Sequence, residues 1–143
     1  MASYIKQITE AIEDRLLSVI PTFIKSIHTF SKLTGSPKAK YSYRVLPGEA
    51  ESGEGVTRKI TYRQKFNIFL DCHYKADTDV VLQVEVETLY ASLELVTSEA
   101  IQKRFSSPLI MNVESVALTA PEINHDDKIV TIGASYSVLY RME

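Results

Sequence analysis

The sequence predicts an α+β domain: a four-stranded, mostly antiparallel sheet with two or three helices packed on one face, and a long β-hairpin with a flexible tip. Three observations predict it. Apolar residues recur at helical spacing near the N-terminus and again over residues 82–100. They alternate at period two over 41–45, 60–72 and 128–140. Gly, Pro, Asn and Asp cluster between these segments rather than inside them.

The first helix spans Ser3 to Val19. Ile5, Ile8, Ile12, Leu16 and Val19 form its apolar stripe, Lys6, Gln7, Glu10, Glu13 and Asp14 its wet side, Ser3 is its N-cap, and Pro21 lies beyond its end. Residues 22–32 read as helix or as irregular chain, and SKLTGSPKAK as a basic loop. Tyr41, Tyr43 and Val45 share a face of a strand that should stop before Pro47 and Gly48. After the acidic stretch GEAESGEG, a second arm places Ile60, Tyr62, Phe66, Ile68, Leu70 and Cys72 on one face. Lys59, Thr61, Arg63, Lys65 and Asn67 take the other, with Gln64 and Phe69 breaking the pattern. KADTD supplies cap residues for a second helix whose stripe is Leu82, Val86, Leu89, Leu93, Val96 and Ala100, ending by Ser107–Pro108. The alternation of VVLQVEVE makes a strand the rival reading of its start. Two strands finish the chain. One surrounds Met111–Thr119, with Val116 and Leu118 on one face. In the other, Val130, Ile132, Ala134, Tyr136, Val138 and Tyr140 oppose Thr131, Ser135 and Ser137. APEINHDDK between them reads as turn.

Bulk composition narrows the functions. The 143 residues suit a single domain, 1–143, that is 45% hydrophobic and carries a net charge of −2, which argues against a general nucleic-acid binder. No apolar run reaches the ~20 residues of a membrane span, and MASYIKQITEAIEDR mixes charge signs where a secretory segment is unbroken and apolar. Cys72 alone permits no internal disulfide, which fits a reducing compartment.

No residue set expected of a catalyst stands out. His28, His73 and His125 are scattered, and Cys72 and His73, adjacent on a strand, point to opposite faces. His125–Asp126–Asp127 reads as a solvated turn rather than a cation loop, Cys72 as a small buried hydrophobe, and Glu85 and Glu87 as an exposed helix face. The acidic loop has the glycines of a phosphate cradle but the wrong charge. The expectation is therefore no enzyme, no catalytic residues, no cofactor and no metal. Charge instead marks a candidate interface: Glu49, Glu51 and Glu54 in the loop, and Arg58, Lys59, Arg63 and Lys65 on the strand after it. The basic stripe is otherwise a solvated strand face guarded by charge.

The layout resembles the tail terminator proteins of long-tailed bacteriophages, the lambda-like group of small α+β proteins. The shared features are the helix in ASYIKQITEAIEDRLL, the hairpin with its extended tip over Pro47–Gly55, the helix in DTDVVLQVEVETLYASLELV, the polar turn NHDDK and the closing strand GASYSVLYRME. The resemblance implies a homohexameric ring capping the head-proximal end of the tail tube. Such a ring stops tube polymerisation and offers a docking surface to the connector or stopper protein of the neck, while DNA passes through without sequence-specific contact. It would be assembled in the host cytoplasm and reside in the virion. Another neck or head-completion protein, or the cap of a contractile injection device, is the nearest alternative. A small ligand-binding domain with a cleft lined by Tyr62, Phe66 and Tyr136 is the alternative of a different class.

Overall fold

The computed structural model describes residues 4–25, 40–50, 61–75, 78–102 and 110–141. Two helices, α1 (Tyr4–Val19) and α2 (Asp79–Gln102), pack on one face of a six-stranded sheet. The strands are β1 (Ile24–Lys25), β2 (Tyr41–Ala50), β3 (Thr61–His73), β4 (Ile110–Leu118), β5 (Glu122–Asn124) and β6 (Ile129–Arg141). Their spatial order is β1-β2-β3-β6-β4, with β5 continuing the β4 edge along β6. Every pairing is antiparallel except β1 with β2. The expected α+β architecture is therefore present, its four long strands extended by two short ones.

The backbone of the sheet is the β3–β6 ladder, which runs unshifted from Thr61↔Arg141 to His73↔Ile129. At about 3.4 Å per residue this is roughly 40 Å of uninterrupted pairing. Both strands present their even-numbered residues to the helices: Phe66, Ile68, Leu70, Val130, Ile132, Tyr136 and Val138 are fully buried. From the helix layer, Ile8, Ile12 and Leu16 of α1 and Leu89, Leu93 and Val96 of α2 close the core. The stripes read from the sequence do this work because only one face of each helix finds apolar partners. Phe66 and Tyr136, expected to line a cleft in the ligand-binding alternative, are solid core. The Tyr136 hydroxyl meets the Thr97 hydroxyl at 3.1 Å.

Local chemistry fixes the element ends. Thr78 caps α2, its hydroxyl accepting from the Val81 amide at 3.4 Å. After α1, the turn through Pro21 delivers Ile24 and Lys25 to the sheet edge, where Lys25 meets Glu13 of α1 at 2.8 Å. That places a strand inside the 22–32 stretch read as helix or irregular; residues 26–39 lie outside the described residues. β2 does not stop at Pro47. It continues to Ala50 across a register shift, since Pro47 sits on a side of β2 where no ladder amide is required. The out-of-pattern Gln64 bridges this irregularity by donating its amide to the Gly48 carbonyl.

β4 also departs from its expected pattern. Register shifts between Ile110 and Asn112 and between Val113 and Ser115 re-aim its side chains. Val113, Val116 and Leu118 pair with the inward-facing Val138, Tyr136 and Ala134, so Val116 and Leu118 share a face as expected, Val113 being buried, Val116 half-buried and Leu118, near the strand end, 51% exposed. The supposed turn APEINHDDK contains β5, and only His125–Lys128 form the hairpin loop, with Lys128 at φ 56°. Asn124 closes it, accepting from the Asp127 amide at 3.2 Å and donating to the Asp127 carboxylate at 3.0 Å.

Gly133 tests the packing of the opposite face. A Cβ there would lie 2.8 Å from Phe69 Cδ1, and the Gly133 amide and carbonyl are both bonded to Thr119. Phe69, the other sequence exception, uses this space to lie across the strand. Gly133→Val is expected to lower stability by about 1–3 kcal/mol through overpacking, read as a drop in the urea midpoint with unchanged slope. A midpoint equal to wild type would show that Phe69 swings aside freely.

Candidate functional site

The helices cover one face of the sheet, and the odd residues of β3 and β6 lie on the other, where Asp71, Gly133 and Ser137 are buried. Lys65 is exposed and Arg63 half-buried on it, as the alternation predicted. Glu49 lies near the end of β2. Glu51, Glu54, Arg58 and Lys59 fall outside the described residues. Two of the seven candidate side chains are thus placed, together, on the face away from the helices.

The same face holds a charged pair that the sequence did not reveal. Arg44 of β2 donates from Nε to Asp71 Oδ2 at 3.1 Å and from Nη2 to Oδ1 at 3.2 Å. Thr131 of β6 donates its hydroxyl to the same carboxylate. Asp71 is 1% exposed and Arg44 7%. Burial pushes the Asp71 carboxyl above its usual range, partly offset by the Thr131 hydroxyl and the Arg44 guanidinium. The guanidinium carbon also lies 4.9 Å from the Phe69 ring centre. Arg44, Asp71 and Thr131 come from three adjacent strands, so the pair clamps the sheet rather than offering itself to a ligand.

A second polar cluster lies at the helix–sheet junction and corrects two expectations. Glu85 is only 8% exposed, not on a wet helix face. Its carboxylate accepts from the Cys72 thiol at 2.7 Å and the Tyr41 hydroxyl at 3.2 Å, and pairs with Lys40 at 3.2 Å. Cys72 is buried as expected, yet it acts as a donor rather than as a plain hydrophobe. Burial and the neighbouring Glu85 charge push the thiol far up, so the proton stays on sulfur, the reverse of an activated nucleophile. The missed signal was spacing: Glu85 falls between Leu82 and Leu89 on the buried stripe.

The outer side of α2 is the third feature. Val80, Val84 and Leu95 are 74%, 53% and 50% exposed, and Glu87 and Glu94 are exposed beside them. The alternation of VVLQVEVE that had suggested a strand is the trace of two apolar stripes on one helix. At the far end of β3, His73, Lys75, Asp126, Asp127 and Lys128 line a shallow depression. The Asn124–Asp127 bonds make that loop a closed turn.

No protein-family model matches the sequence, and no curated protein matches it. The fold does have a likeness. It matches a chain in the structure titled virion of native gene transfer agent (GTA) particle, with a TM-score of 0.57. Identity is 9%, and the match covers 94% of each chain. At that identity the match shows a shared fold over nearly the whole length. Among the described residues, no helix is long and apolar enough to cross a membrane.

Proposed function

We propose that this chain is a structural component of a phage-like virion, and that it acts as a tail terminator. In this reading a ring of copies caps the head-proximal end of the tail tube, blocks further tube growth and presents a new face to the neck. The observation that carries it is the end-to-end likeness to a chain of a gene transfer agent virion. Two features support it. The described side chains are committed to packing, clamping and surface charge, and α2 carries the exposed apolar residues Val80, Val84 and Leu95 on its outer side. Such a role is steric: bind the last tube ring, exclude the next, offer a surface.

The test is the solution mass by light scattering, alone and after mixing with purified tail tubes, with negative-stain imaging of the tube ends. The expected result is a ring, or a monomer that becomes one on tube ends and halts their elongation. Tubes that grow unimpeded with the protein in excess would overturn the reading.

A further inference from the structure

We propose that the outer side of α2 is a docking strip for an amphipathic helix of a different protein, one whose apolar row is flanked by Lys or Arg. The inference goes beyond the terminator reading and does not depend on it. Val80, Val84 and Leu95 are the large apolar residues that α2 turns away from the core, over about 22 Å of its axis. Thr88, half-buried, and Ala91, exposed, continue the row between them. Val84, Thr88, Ala91 and Leu95 follow one another at steps of four, three and four, the rhythm at which one helix receives the side chains of another. The small residues in mid-row let a second backbone come close. The Thr88 hydroxyl is already bonded to the Val84 carbonyl at 2.9 Å, so covering the row strands no donor there. An incoming strand, with its period of two, matches no such row.

Charge selects the partner. Glu87 and Glu94, both exposed, stand one residue before Thr88 and Leu95 and seven apart. They therefore mark the same flank of successive heptads, the place where paired helices set their ion pairs. The helix Asp79–Gln102 has no Lys or Arg to balance them, so the matching flank of the partner is basic. The two described helices of this chain do not supply that flank. A second α2 brings only further acid to the contact. The outer side of α1 carries Glu10, Glu13 and Asp14, its Lys6 is ion-paired with Glu10 at 3.9 Å, and Leu17 is its one large exposed apolar group among the described side chains. A membrane surface fits no better, because an interfacial helix is anchored by Lys and Arg beside its apolar side, and here the flank is acidic.

Synthetic peptides stand in for the partner helix. The first carries Leu at the a and d positions of successive heptads and Lys at e and g, which also keeps it from pairing with itself. The second has Glu at e and g. The third keeps the composition of the first but places Leu at every other position. Fluorescence anisotropy of the labelled peptides at low salt is expected to show the first binding the wild type at least tenfold more tightly than either of the others. Glu87→Lys/Glu94→Lys should reverse the preference between the two heptad peptides. Val84→Ser/Leu95→Ser, at positions already half-exposed, should weaken the first peptide at least tenfold while the urea midpoint stays near that of the wild type. Glu10→Gln/Asp14→Asn on α1 should change nothing. The proposal is overturned by no binding of the first peptide, by equal binding of the third, or by a loss that follows the acids of α1 instead of the row on α2. Tube capping is scored separately. A chain that caps tubes but refuses the peptide would sink the docking strip alone, and one that takes the peptide but leaves tubes growing would sink the terminator reading alone.

Discussion

Asp71→Ala is expected to cost about 3–5 kcal/mol near neutral pH and no less in acid, while the cost of Arg44→Met should shrink as the pH falls. The asymmetry follows from what each change leaves behind. Without Asp71, the guanidinium of Arg44 loses both of its carboxylate bonds in a site where it is 7% exposed. A guanidinium cannot escape by giving up its proton. Without Arg44, the Asp71 carboxylate keeps only the Thr131 hydroxyl of its described side-chain donors, and it can escape by taking a proton. Burial already raises this carboxyl above its ordinary 3.8, and losing the guanidinium raises it further. A carboxyl whose folded value exceeds its unfolded value binds more protons when folded. The variant therefore gains stability as pH falls through the folded value towards the unfolded one, and gains nothing more below that. Urea midpoints at several pH values would show it; equal costs for both variants at every pH would contradict it. The apolar double replacement Arg44→Met/Asp71→Leu should cost far less than either single change, because no charge is then stranded.

How far the sequence disclosed this molecule depended on whether a pattern was local. Ile8, Ile12 and Leu16, the even residues of β3 and β6, and the Leu89–Leu93–Val96 stripe were legible because burial on one face imposes a period. The exceptions Gln64 and Phe69 were legible as exceptions but not explicable. One bonds across an irregularity of β2 and the other fills the space over Gly133, and both depend on a neighbouring strand. The bulges of β4 were invisible for the same reason. One extra residue reverses the facing of all that follow, which is why Val113 and Val116, three apart, both pair with inward residues of β6. The Arg44–Asp71 clamp joins residues 27 apart in the chain, and no motif announces it. Of the charged candidates, the sequence placed Arg63 and Lys65 on the correct face.

Glu85→Ala should be the next most damaging change, at about 2–3 kcal/mol near neutral pH, since charged hydrogen bonds are worth more than neutral ones. It removes the acceptor shared by Cys72, Tyr41 and Lys40 and so unpins the first half of α2 from β2 and β3. The cost should shrink in acid, as for Arg44→Met, but because the wild type loses stability there rather than because the variant gains it. Burial alone would raise the Glu85 carboxyl, but the bonds from Cys72, Lys40 and Tyr41 outweigh it and hold the group below its ordinary 4.5. A lowered folded value contributes stability above the unfolded value and loses it as pH falls through the folded one. The gap between wild type and Glu85→Gln should accordingly be widest near neutrality and close in acid. Cys72 provides an independent reading of the same junction. In the wild type its thiol is buried and held protonated, so it should react with a thiol reagent only as fast as the structure opens. In Glu85→Ala, labelling should accelerate well beyond what the loss of global stability accounts for, because the opening needed is local. Labelling that tracks global unfolding alone would mean that the apolar contacts of Leu89 and Leu93 hold α2 in place without the polar junction.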